Sequence, residues 1–70
     1  MGLAANFAAN LRRVRLARGL TLEALALEVG LSYSYVGELE RGRRNPTLKV
    51  VERIASVLKT DAAAMLSRKS

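Results

Sequence analysis

Only three residues, Gly30, Leu31 and Ser32, separate two segments whose apolar side chains recur with helical spacing. Leu22, Leu25, Ala26 and Val29 precede them, and Val36 and Leu39 follow. Gly30 is placed to end one helix, because glycine accepts a left-handed backbone without a Cβ clash. Ser32 is placed to cap the next by accepting a hydrogen bond from a free amide of its first turn. Two short helices joined this tightly cross at a steep angle, and the second projects outward. An ordinary corner of a helical bundle would meet the same spacing. In either case the chain is helical here, and no run elsewhere alternates with period two long enough to suggest a sheet.

The rest of the 70 residues extends this reading to an all-α, five-helix domain over 1–70. A first helix is predicted from about Leu3 to Arg18, with Phe7, Leu11 and Val14 on one stripe and Gly19 at its end. Thr21 caps the second helix. Ser32 caps the third, which runs to Arg41 and is closed by Gly42. After the basic loop Arg43-Arg44-Asn45-Pro46, Thr47 caps a fourth helix carrying Leu48, Val51, Ile54, Ala55 and Leu58. Asp61 caps a short fifth ending near Met65 and Leu66, and Ser67 to Ser70 read as a frayed tail.

So short a chain buries little core, and small domains commonly add a staple. With no cysteine and no histidine, disulfides, zinc-finger ligand sets and Cys or His nucleophile–base pairs are excluded. Dimerisation is the remaining common staple, and an enzyme is disfavoured. Lys and Arg total 12 against 6 acidic residues, for a net charge of +6. Such a balance suits a polyanion, nucleic acid or an anionic membrane, although it also serves solubility alone. Arginine predominates, which favours bidentate contacts to phosphate or guanine. No segment is long and apolar enough for a membrane span. Met1 to Asn10 lacks a basic start and is interrupted by Asn6 and Asn10, so it does not read as a signal peptide. The expected location is cytoplasmic.

On a helical wheel the third helix places Val36, Leu39 and Ser32 on one side. Ser34, Gly37, Glu38 and Arg41 fall on the other, with Tyr33 and Tyr35 at opposite edges. Gly37 removes side-chain bulk in mid-helix at a cost of roughly 1 kcal/mol relative to alanine. On an outer face that suggests a close approach by a partner. Glu40 falls instead on the apolar side, about 40° from Val36 at 100° per residue. Arg15 likewise lies inside the Phe7–Leu11–Val14 stripe of the first helix. An Arg15–Glu40 ion pair joining the first and third helices is therefore expected. The alternative is two snorkelling side chains that never meet.

The segment from Thr21 to Leu48, TLEALALEVGLSYSYVGELERGRRNPTL, resembles the phage-repressor helix-turn-helix family of Cro/cI-type, or XRE-like, domains. The likeness covers Leu11 to Leu66. Its most specific pieces are Leu25-Ala26, Val29-Gly30-Leu31-Ser32, Leu39-Glu40-Arg41-Gly42 and Asn45-Pro46-Thr47-Leu48. The family pairs an arginine of its first helix with a glutamate at the position of Glu40. The surroundings of Tyr35-Val36-Gly37 are similar to restriction–modification controller proteins, and stand-alone phage or plasmid repressors are nearly as similar.

The resemblance implies a helix-turn-helix over about 21–42. It further implies a transcriptional regulator that binds double-stranded DNA as a homodimer on a near-palindromic operator. The recognition helix, Ser32 to Arg41, would then lie in the major groove. Tyr33, Ser34, Gly37 and Glu38 would face the bases. Thr21, Arg41, Arg43, Arg44 and Asn45 would meet phosphates, with attraction added by Arg12 and Arg13. Tyr35 reads either as a backbone contact or as packing. Ala62, Met65 and Leu66 would supply part of the dimer interface. No cofactor, metal, membrane or small-molecule ligand is expected. A protein-interaction module of antitoxin type, with DNA binding secondary, is the alternative. Three departures stand out: Leu22 where the family commonly has glutamine, Lys59 where it often has glycine, and Ala62 to Ala64 where larger residues are usual.

Overall fold

A computed structural model describes residues 2–68 of the chain. Five helices follow in order, α1 (Leu3–Ala17), α2 (Leu22–Val29), α3 (Tyr33–Glu40), α4 (Leu48–Val57) and α5 (Ala62–Leu66), with no strand among the described residues. α1 packs against α3 and α5, α2 against α3 and α4, and α4 against α5. One core results, centred on Phe7, Leu11, Leu25, Val36, Leu39 and Ile54, all fully buried. No helix among the described residues is long and apolar enough to cross a membrane.

Local chemistry sets the boundaries. The hydroxyls of Thr21, Ser32 and Thr47 accept from the amides of Ala24, Tyr35 and Val50 at 3.0, 3.1 and 3.1 Å. Each thereby satisfies an amide that the first helical turn leaves without a partner. Ser32, placed by the wheel beside Val36 and Leu39, is exposed because it precedes the helix as its cap. Asp61 occupies the cap position of α5, but its carboxylate makes no capping bond.

Four helices end in the same way, with a left-handed residue and a hydrogen bond from the next amide back to a carbonyl one turn earlier. At Gly30 (φ +72°) the Leu31 amide donates to the Ala26 carbonyl at 3.1 Å. Gly19 and Gly42 do likewise for α1 and α3. The end of α4 uses Lys59 at φ +56°, with the Thr60 amide on the Ala55 carbonyl at 2.9 Å. Replacing the usual glycine there leaves the turn unchanged and puts its backbone under strain instead.

The far end of the chain is tied down. Asn10, 2% exposed, donates its side-chain amide to the carbonyls of Met65 and Ser67, both at 2.8 Å. Asn6 reaches the Leu66 carbonyl at 3.3 Å. These bonds satisfy the carbonyls that the end of α5 leaves open. Ser67, expected in a frayed tail, is therefore held. Arg68 is exposed, and the tail positions 69 and 70, with Met1, lie outside the described residues. Met65, expected at a dimer interface, is 1% exposed and belongs to the core, because α5 lays it between α1 and α4.

Candidate nucleic-acid interface

The orientation of α3 is fixed from its inner side. Arg15 donates from Nε and Nη2 to the two carboxylate oxygens of Glu40 at 2.6 and 2.8 Å, and from Nη1 to the Leu20 carbonyl at 2.8 Å. Both side chains are about nine-tenths buried. The hydrogen bond to Glu40 raises the Arg15 pKa above the usual guanidinium value, against the opposing effect of burial. The planar guanidinium meets the carboxylate along two parallel bonds, so the pair fixes rotation as well as distance. Arg12, largely exposed, stands 3.6 Å from the same carboxylate. Arg13 donates to Asn10 Oδ1 at 3.1 Å.

With that side locked, the outer side of α3 presents Tyr33 and Ser34 as exposed side chains, with Glu38 half-buried. Gly37 does not join them. It is buried, because α2 crosses at this point and Arg41 folds back over it. A Cβ at position 37 would lie 3.4 Å from Arg41 Nη1 and 3.5 Å from Leu22 Cδ2. The expectation of an open, smooth spot is corrected accordingly. A wheel drawn on α3 alone contains neither Leu22 nor the returning arginine. The signal was the apolar Leu22 at a position where the family commonly carries a polar side chain.

The same contact sets the start of α2 beside the middle of α3. Thr21 is thus exposed next to α3. Its oxygen already accepts from Ala24, but its O–H remains able to donate to an anion. Beyond α3, Arg41, Arg43, Arg44 and Asn45 are all exposed. Arg44 is not a free cation: its Nη1 is 3.8 Å from Glu38 Oε1, and its guanidinium carbon lies 5.0 Å from the centroid of the Tyr35 ring. Tyr35, left open between backbone contact and packing, is half-buried beneath that guanidinium. Asn45 borders a different feature, an apolar groove lined also by Leu3, Ala4, Pro46, Leu48 and Leu66.

An outward helix with polar tips, a helix N-terminus at its flank and cations past its end can contact bases and phosphates together. Comparison with known proteins finds related sequences and folds. Residues 11–64 match the model of a family described as helix-turn-helix. The uncharacterised helix-turn-helix-type transcriptional regulator y4dJ of Sinorhizobium fredii is 43% identical over 49 residues, covering 70% of this chain and 64% of that protein. This chain therefore spans under two thirds of that relative. The hypothetical transcription factor NHTF from Neisseria superposes with a TM-score of 0.90 at 36% identity, covering 94% of this chain and 76% of that one. The restriction–modification controller protein C.Esp1396I, solved as a tetramer in complex with its natural 35-base-pair operator, superposes with a TM-score of 0.83 at 29% identity. The coverage there is 93% of this chain and 86% of that one.

Proposed function

This chain belongs to the helix-turn-helix family of transcriptional regulators, and from that membership we propose that it binds DNA sequence-specifically as a homodimer on a near-palindromic operator. One observation carries the reading: α3 is locked on its inner side by Arg15–Glu40 and presents exposed Tyr33 and Ser34, with half-buried Glu38, on the other. In this reading α3 enters the major groove. Ser34 donates to or accepts from a base edge, and Tyr33 meets a thymine methyl or a phosphate. Thr21, Arg41 and Arg43 hold phosphates, with Asn45 at the margin. Gly37 acts indirectly, by letting α2 seat its N-terminus close to the groove.

A single short helix reads only a few base pairs, which favours two copies with half-sites about one helical turn apart, roughly 34–36 Å. With Met65 inside the core and Ala62 packed against it, the pairing surface is better assigned to the groove of Leu3, Leu48 and Leu66. Leu3 and Leu48 are each 63% exposed, and no charged residue lines the groove. Two chains of net charge +6 approach most cheaply across such a face. C.Esp1396I binding its operator as a tetramer supports a multimeric mode for this fold.

Selection of bound sites from a random DNA pool tests the proposal. A palindromic consensus is expected, with affinity falling steeply as salt rises. Sedimentation should show a dimer on that site, and Leu48→Glu should abolish it. A monomer on the best site, or a pool that yields no consensus, would overturn the reading.

A further inference from the structure

Glu38 and Arg44 carry opposite charges and, by sequence, separate tasks, yet they stand together. Arg44 Nη1 is 3.8 Å from Glu38 Oε1, and the guanidinium lies over Tyr35 at 5.0 Å. We propose that Arg44 is a guanine-reading side chain, held against α3 by Glu38 and Tyr35, and not one of the phosphate-binding cations. The proposal rests on the reading of α3 as the helix that enters the major groove.

A cation that serves a phosphate is best left on a free stem, able to follow the backbone. Arg44 instead lies beside one carboxylate and against one aromatic ring. The Glu38 carboxylate draws the Nη1 side by charge, and the Tyr35 ring packs against the guanidinium, so the side chain is biased toward the outer side of α3. At 3.8 Å the Glu38 contact is an ion pair without a hydrogen bond, so the five N–H donors of the guanidinium are not spent on it. Two parallel donors on one edge of a guanidinium match the O6 and N7 acceptors of guanine in the major groove. The placement suits that task, because Ser32, Ser34, Tyr35, Glu38 and Arg44 line one depression on the outer side of α3.

Glu38 gains a role from the same geometry. An unpaired carboxylate facing DNA repels phosphates. Glu38 is 38% exposed on the face assigned to the groove, and Arg44 balances its charge there. Glu38 is thus a positioning residue for Arg44. Arg43, one residue earlier, makes no ion pair among the described residues and serves as an internal control.

Site selection with the wild type and four variants tests this. Arg44→Ala should lose preference for one guanine in each half-site, by about 5- to 150-fold, which corresponds to roughly 1–3 kcal/mol. Arg44→Lys keeps the charge without the planar fork, so it should lose the same preference while retaining the salt slope. Arg43→Ala should keep every base preference and lower the slope by about 0.9. Glu38→Gln should weaken the guanine preference that Arg44→Ala removes, and no other. If Arg44→Ala kept all base preferences and lowered the slope as Arg43→Ala does, Arg44 would be a phosphate contact and the proposal wrong. A Glu38→Gln change confined to a different base would show Glu38 reading DNA by itself, which overturns the positioning role. A wild type that selects no sequence would defeat the DNA-reading function as a whole, a result distinct from either.

Discussion

Two glutamates of α3, two residues apart, each face an arginine, and the two pairs differ in every other respect. Glu40 meets Arg15 along two bonds of 2.6 and 2.8 Å, with side chains 6% and 10% exposed. Glu38 meets Arg44 at 3.8 Å, with side chains 38% and 54% exposed. In the interior, water cannot replace a lost partner, so the pair is obligatory once its charges are buried. At the surface, water and salt compete with the contact, and the same chemistry holds a side chain only loosely. The difference teaches that α3 is divided by burial: its inner pair fixes the angle of the helix, and its outer pair biases an exposed side chain without holding the fold.

The strongest way to break this comparison is Arg15→Ala. Stranding the Glu40 carboxylate should cost about 3–5 kcal/mol. A chain of this size has a total stability of only about 3.5–10 kcal/mol. The variant should be largely unfolded, and DNA binding should fail with the fold. Replacing Arg15 and Glu40 together by well-packed apolar residues should recover much of the stability, since neither charge is then stranded. Thermal melts decide this; a single variant melting within a few degrees of wild type would show the pair to be dispensable.

Asn10 asks whether that cost follows burial or charge. It is buried as deeply as Arg15 but neutral, and it donates to the Met65 and Ser67 carbonyls. Asn10→Ala should cost about 1–3 kcal/mol by leaving those groups without a donor. Amide exchange should accelerate first in α5. An unchanged melt would mean that α5 is held by Met65 packing alone.

Such particulars show where the sequence was legible. Helix boundaries could be read from residue chemistry, because Thr21, Ser32, Thr47 and Gly30 each act within their own turn. Arg15 and Glu40 were visible because each interrupts an apolar stripe on its own helix. Gly37 was misjudged because its neighbours, Leu22 and Arg41, come from outside the wheel. Met65 was misplaced for a similar reason: a five-residue helix has too few positions to define a face. Asn10 looked like an interruption, since its partners are carbonyls 55 and 57 residues away.

Lys59 offers a case in which neither burial nor an ion pair is involved. Its φ of +56° is strained for any residue with a Cβ. Lys59→Gly should raise stability by up to about 1 kcal/mol, the relief of strain being partly offset by the entropy of glycine when unfolded. A lower melting temperature would mean that the lysine stem makes a contribution larger than the strain.

The smallest effect belongs to the outer pair and sharpens the comparison most. Glu38→Gln and Arg44→Ala, singly and together, form a double-mutant cycle on stability. The coupling should be about 0.5 kcal/mol or less, because both side chains are solvated and the contact is long. At 1 M salt the Debye length falls to about 3 Å, and the coupling should vanish. The penalty for Arg15→Ala should persist in the same buffer, because buried pairs are screened far less. Placing the two cycles in one salt series therefore separates a pair that builds the domain from a pair that serves its surface. A salt-resistant coupling above about 1 kcal/mol between Glu38 and Arg44 would exceed the range for exposed pairs. It would make the outer pair structural too, and the division of α3 by burial would fail.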